Sequence, residues 1–258
     1  MNSTPSLAPA PTIAVLGAGR LGAVLARALR EAGYTVEGPL GRDDKTPHVD
    51  LAILCVPDAE IAGAAASVRS RALRVAHVSG ATGLDDVDLS IHPLQTFAGG
   101  ESPEVFVGIG AAIDGRTDAD LALAAELATA LGMRAFRVDE AHRAGYHAAA
   151  SFASNFVLAV LDAAEELASE VGVERAHLVP LVRRTVENWA ASGAPAVLTG
   201  PIARGDAHTL ARQRAAVDGY APHLIDLFEE LANATRDVAS RMPTAIGRAD
   251  DSIRKDDA

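Results

Sequence analysis

Apolar positions along the chain follow two rhythms. Up to about residue 138, short β-branched and aliphatic runs alternate with Ala-rich stretches of helical period. Thr12–Leu16 predicts a strand. Leu21, Val24, Leu25 and Leu29 then recur at helical spacing over Arg20–Ala32, and Gly33 stands where helices usually end. Tyr34–Leu40 reads as a second strand, interrupted by Gly38 and Pro39. Leu51–Val56 is an unbroken apolar run, as expected of a strand buried on both faces. A helix over Asp58–Arg71, strands over Arg74–Val78 and Val105–Ile113, a helix over Asp118–Leu131 and a short strand over Ala135–Val138 complete the series. This alternation predicts an α/β fold with a mainly parallel, doubly wound sheet.

The rhythm changes near Asp139. Glu140–Gly172 reads as one long helix, and helical patterns follow over Ala176–Ser192, Asp206–Gly219 and Pro222–Ser240, with nothing strand-like after Val138. The predicted organisation is a Rossmann domain over 12–139 and an all-α domain over 140–243. Disordered tails are expected at 1–11 and 244–258. The stretch Met1–Pro11 has neither a basic residue nor an apolar core, so it does not read as a signal peptide. The apolar run Ala148–Ala164 approaches membrane-span length. Asn155, two serines and Asp162 interrupt it, so it reads as a buried helix and no membrane association is expected.

Composition narrows the function. Of 258 residues, 49% are hydrophobic and 22% charged, the balance of a globular protein with a real core. The formal net charge of -11 excludes an ordinary nucleic-acid binder, which needs a surplus of Lys and Arg to displace counterions. An anionic ligand must therefore be held by a local device. The single cysteine, Cys55, sits inside an apolar run and reads as a small buried hydrophobe. With no intramolecular disulfide possible, a reducing, cytoplasmic setting is expected.

Gly17-Ala18-Gly19-Arg20-Leu21-Gly22 fits G-x-G-x-x-G between a predicted strand and a predicted helix. Gly17 permits the tight turn, Gly19 lets the backbone approach a pyrophosphate, and Gly22 lets the helix pack on the strand. Arg20 and Leu21 open the helix, whose unpaired N–H groups and positive dipole end face the anion. At the end of the second strand stands Arg42, where NAD sites usually carry an acidic residue. Arg42 suits a 2′-phosphate, although Asp43 and Asp44 follow it. NADP(H) is the expected cofactor. Val56-Pro57 and Ser79-Gly80 fall after later strands, where they either line the nicotinamide ribose or simply form strand–loop turns.

His147, Ser151 and Asn155 recur every four residues, on one face of the predicted long helix. They form either a ligand site or a self-satisfied polar network. His92, ahead of Pro93, is a substrate ligand, a proton donor or a turn residue. Arg204, in a Gly- and Pro-bounded loop, either aims at a carboxylate or is structural, and Asp206 reads as a helix N-cap. No metal site is expected.

At GAGRLG, SGATGLD (Ser79–Asp85), HPLQTF (His92–Phe97), YHAAASFASNF (Tyr146–Phe156) and LTGPIARGD (Leu198–Asp206), the chain resembles the bacterial family of Rossmann-like proteins with a DUF2520 C-terminal domain. That family is related to the 6-phosphogluconate dehydrogenase-like group. The resemblance implies NADP use, a helical domain that often dimerises, and a possible place among alternative ketopantoate reductases of pantothenate biosynthesis. Related enzymes use a Lys on the first long C-terminal helix. The only lysines here are Lys45 and Lys255, so that mechanism does not carry over.

The expectation is an NADPH-dependent reductase of a small 2-oxo acid. His147 would be the acid, with His92 the alternative donor. Ser151 and Asn155 would orient the carbonyl, and Arg204 would hold the carboxylate. An imine reductase resembling pyrroline-5-carboxylate reductase and a non-catalytic NADP-binding sensor or scaffold are the rival readings. A homodimer through the helical domain is expected.

Overall fold

The structure is a computed structural model and describes residues 11–242. The expected tails at 1–11 and 244–258 lie, but for Pro11, outside those residues. Seven strands form one sheet: β1 (Thr12–Leu16), β2 (Thr35–Leu40), β3 (Val49–Leu54), β4 (Ala72–His77), β5 (Leu89–Pro93), β6 (Gly110–Gly115) and β7 (Arg134–Arg137). Their order is β2-β1-β3-β4-β5-β6-β7. The first five run parallel, and β6 and β7 run the opposite way. Helices α1 (Arg20–Glu31), α2 (Ile61–Val68) and α3 (Asp118–Ala130) connect the strands, and α4 (Glu140–Ala153) follows β7. The predicted fold class is thus present, with a reversed edge. After β2 the chain returns to the far side of β1 to form β3. That reversal opens a crevice at the carboxyl ends of β1 and β3.

Two apolar layers flank the sheet. Ile13, Val15, Leu51, Ile53 and Ile91 turn to one side, under α1 and α3. Ala14, Ala52 and Leu54 turn to the other, under α2. This is the period-2 alternation of a sheet covered on both faces.

Several expected elements are corrected. Val105–Ile113 is not one strand: Pro103–Phe106 is a 3-10 turn, Gly108 adopts φ +81°, and β6 starts only at Gly110. Phe106 is fully buried as a plug in the core, which the apolar pattern did not separate from a strand. The helix over Asp58–Arg71 is a 3-10 turn (Asp58–Glu60) followed by α2. Strand β5 went unforeseen because two of its five residues, Ser90 and His92, are polar.

The long helix over Glu140–Gly172 is two helices, α4 and α5 (Asn155–Ser169). Ser154 leaves helical geometry (φ -131°, ψ -78°), and its hydroxyl donates to the Ala150 carbonyl at 2.7 Å. Such back-bonding bends helices. Nor is the segment buried: it is long and apolar enough to cross a membrane, yet its apolar window lies exposed on the chain.

The chain divides into two compact units, Met1–Asn155 and Phe156–Ala258. The described part of the second contains α5, α6 (Arg175–Ser192), α7 (Ala194–Val197), α8 (Ala207–Tyr220) and α9 (Ile225–Ser240). No strand occurs among its described residues. Asp206 caps α8 as read, accepting from the Thr209 N–H at 2.9 Å.

Gly22→Ala tests the tightest packing in the first unit. A Cβ there would lie 1.9 Å from the Gly17 carbonyl oxygen and 3.2 Å from the Cys55 Cβ. Backbone cannot yield as a flexible side chain does, so the substitution should cost about 2 kcal/mol or more. Differential scanning calorimetry should show a Tm lower by roughly 5 °C or more.

Candidate functional site

The glycine loop follows from close approach of three elements. Gly17 adopts φ +107°, and its N–H donates to the Leu40 carbonyl at 2.8 Å. A Cβ on Gly17 would lie 2.2 Å from the Cys55 carbonyl oxygen, so the ends of β1 and β3 touch there. Gly22 brings α1 down on the same point. Gly19 differs: it caps α1 with ordinary φ, and a Cβ there would meet nothing within 4 Å. The first turn of α1 has no side-chain cap and no acidic residue. Its N–H groups therefore face an open cradle, which fits a pyrophosphate. Arg20 is exposed with its stem beside Gly99, and Leu21 packs against the core. Burial pushes the Cys55 thiol up to about 12, so it stays an inert, neutral packing group.

Arg42 follows β2 with its side chain 79% exposed, and its Nη2 donates to both Glu60 carboxylate oxygens, at 2.8 and 2.9 Å. The pair joins the turns after β2 and β3. Gly41 N–H donates to the Asp44 carboxylate at 2.7 Å, so Asp44 closes its own turn. Val56 packs against the core and Pro57 is exposed, directly after β3. Ser79 is buried, and its hydroxyl oxygen accepts from the N–H groups of Ala81 and Thr82 at 3.1 and 3.0 Å. Ser79 therefore shapes the turn that presents Gly80.

Further along the same edge, His92 lies on β5 and meets α4. Helix α4 runs alongside β5: Arg143 donates to Ser90 Oγ at 3.0 Å, and one turn later the Tyr146 hydroxyl lies 2.6 Å from His92 Nδ1. The two aromatic rings meet edge to face, 5.6 Å between centroids. Phe136 of β7 supports Tyr146 from another direction, at 5.9 Å. A Cβ on Gly80 would come within 2.9 and 3.0 Å of His92 Cε1 and Nε2, and within 3.1 Å of His147 Cδ2. The two predicted histidines, 55 residues apart in sequence, thus converge on one glycine.

Burial, reinforced by the nearby His147 and Arg143, lowers His92 to about 4. Burial raises the Tyr146 hydroxyl to about 12. At neutral pH both are uncharged. His77, buried on β4, accepts from the Ser79 N–H at Nδ1 and so donates from Nε2 to the Gly83 carbonyl at 2.9 Å. Arg143 is 2% exposed, 3.7 Å from Asp114 and 3.9 Å from Glu140, and its Nε has no hydrogen-bond partner.

Of the expected polar stripe, exposed His147 and half-buried Ser151 share α4, while Asn155 opens α5 beyond the Ser154 break. The three do not share one helix. Arg204 belongs to the second unit and is exposed on the turn before α8. Sequence reading missed Tyr146 and Arg143. Arg143 stands four residues before His147, on the same stripe, and Tyr146 stands one residue before His147 and three after Arg143.

The sheet order, the crevice and the glycine loop define a Rossmann-type fold. Residues 109–235 match the family model described as "Domain of unknown function (DUF2520)". A Bacteroides fragilis protein described as a candidate NADP oxidoreductase is 22% identical, covering 88% of this chain and 98% of its own, with a TM-score of 0.76. A Thermotoga maritima protein is 23% identical, covering 89% and 98%, with a TM-score of 0.70. An imine reductase from Myxococcus stipitatus in complex with NADP+ is 13% identical, covering 89% and 94%, with a TM-score of 0.62. No curated protein matches the chain.

The depressed histidines make stability pH-dependent. His92 and His77 both titrate below the free value near 6.5, chiefly through burial. Between that value and about 4 the unfolded chain binds more protons than the folded one. Their contribution is complete above pH 6.5 and is lost as pH falls towards 4. Urea unfolding should give a lower midpoint at pH 4.5 than at pH 7.5, and His92→Gln should narrow the difference.

Proposed function

We propose that this chain is an NADPH-dependent reductase of a small carbonyl compound. The observation that carries this reading is one continuous edge: an open, glycine-lined helix N-terminus at the switch point, with His92, His147 and Tyr146 gathered farther along the same carboxyl ends. Gly17, Gly19, Gly22 and the first turn of α1 would hold the pyrophosphate, and Val56 and Pro57 would flank the nicotinamide side. When bound, NADPH supplies the hydride. The chain's residues then orient the substrate and answer the negative charge that develops on its oxygen. His147, exposed beside Gly80, would supply the proton, and Ser151, one turn further on, would orient the carbonyl. Arg204 remains the candidate for a substrate carboxylate.

Within that class, a 2-oxo acid such as ketopantoate is supported by the family resemblance and by two histidines at one point. A cyclic imine is the second reading. It is favoured by the likeness to the NADP+-bound imine reductase and by the neutral state of His92, since a protonated imine needs no strong acid. Following NADPH oxidation over panels of 2-oxo acids and cyclic imines separates the two. Absence of turnover in both panels would leave a binding protein.

NADPH should bind more tightly than NADH. Arg42 has five N–H donors, enough to engage a 2′-phosphate while keeping part of its contact with Glu60. Losing one charge-assisted contact costs about 1.5–3 kcal/mol, or roughly ten- to a hundredfold in affinity. Calorimetry should show Arg42→Ala losing that much for NADPH and little for NADH. Equal affinities in the unmutated protein would refute the assignment.

The helical unit should join two copies. Leu158, Leu181 and Trp189 are 65%, 66% and 58% exposed, and among its described residues only Val217, Ala221 and Ala232 are buried apolar groups. Apolar surface of this extent marks an interaction face. A bilayer is the poorer partner. Arg143 ties α4 to the sheet, and the 15 residues of α5 span about 22 Å, short of a hydrocarbon core of about 30 Å. Light scattering should give a dimer at micromolar concentration, and a monomer would count decisively against it.

A further inference from the structure

We propose that Tyr146 is the positioning residue of this site: its O–H donates to His92 Nδ1 and fixes that imidazole in the tautomer whose proton sits on Nε2, facing the space over Gly80. The direction of the bond follows from satisfaction. The hydroxyl proton of Tyr146 has one recorded acceptor among the described residues, the His92 Nδ1 at 2.6 Å. Were Nδ1 the donor, that half-buried phenolic proton would have no acceptor among the described residues. A neutral imidazole holds one proton, so when Nδ1 accepts, Nε2 must donate. Phe136 against the tyrosine ring and the edge-to-face contact with His92 hold both rings in place.

His92 Nε2 and Cε1 are the atoms nearest to Gly80, and no hydrogen bond from Nε2 is recorded among the described residues. The glycine leaves room where any other residue would press a Cβ onto both histidines. The outcome is a division of labour. His92 is a fixed, uncharged N–H donor, while His147 beside it lies exposed at the surface. Besides His147, the charged or titratable groups acting on His92 are Arg143, Asp58 and His77. A neutral donor of this kind polarises a carbonyl or steadies an oxyanion without surrendering its own proton. That use of His92 rests on the reductase reading, whereas the tautomer lock does not.

The test needs neither substrate nor cofactor. Long-range 1H–15N spectra of 15N-histidine-labelled protein at pH 7 report the tautomer of each of the eight histidines, and His92→Gln assigns the signal. In the unmutated protein His92 should appear as a single Nε2–H form. In Tyr146→Phe, with folding checked by circular dichroism, it should relax to a mixture. An Nδ1–H form in the unmutated protein overturns the proposal whatever the variant does. So does an Nε2–H form that persists unchanged in a folded Tyr146→Phe. Where the substrate screen yields turnover, Tyr146→Phe should lower kcat about tenfold or more with little change in the KM for NADPH. An unchanged kcat then also counts against the lock. Failure of the screen leaves the spectra decisive, so the two readings fail separately.

Discussion

The contact on which the first unit depends is the meeting of Gly17, Gly22 and the Cys55 carbonyl. Three backbone segments, from β1, β3 and α1, come closer there than any Cβ would allow. Because β1 and β3 end at the same height, the N-terminus of α1 opens directly over the switch point rather than beside it. The same closeness packs the partly buried Cys55 against the core, where desolvation keeps its thiol neutral. His92 and His147 lie farther along the edge that this contact starts.

That edge was legible in the sequence where the chemistry is local. A glycine pattern between a strand and a helix carries its own geometry, and the structure places Gly17, Gly19 and Gly22 in three different environments that match three different requirements. The apolar runs Thr12–Leu16 and Leu51–Val56 likewise located β1 and β3 to within two residues. What was not legible depended on partners far along the chain. Ser90 is fully buried on β5, yet it reads as polar and loop-like because Arg143, its partner, lies 53 residues later. His92 is satisfied by Tyr146, 54 residues away. The break at Ser154 is local but ambiguous. Its hydroxyl can bond to the Ala150 carbonyl in a continuous helix as well as in a bent one, so the sequence alone does not decide.

Helix α4 serves the sheet with one face and the site with its end. Asp139 caps it, accepting from the His142 N–H at 3.2 Å, and Arg143 sinks beside β5 one turn later. Three helical residues rise about 4.5 Å while two strand residues rise about 6.6 Å. Helix and strand therefore stay in step only briefly. Arg143 with Ser90 and Tyr146 with His92 use that interval fully. Beyond it, His147 reaches the turn at Gly80 on the carboxyl edge.

A buried arginine is a costly way to seat a helix. Removing its charge from water costs several kcal/mol, and the neighbours at 3.7 and 3.9 Å are too far for good hydrogen bonds. A leucine would pack there at lower cost, but an apolar contact tolerates sliding. The fork of Arg143 meets Ser90 at one register only, with Asp114 of β6 and Glu140 of its own helix on its flanks. A slip of one residue along α4 would turn Tyr146 through about 100° and carry its hydroxyl away from His92. Arg143 thus trades stability for register, and register is what sets Tyr146 against His92 and brings two histidines to a single glycine at the carboxyl edge.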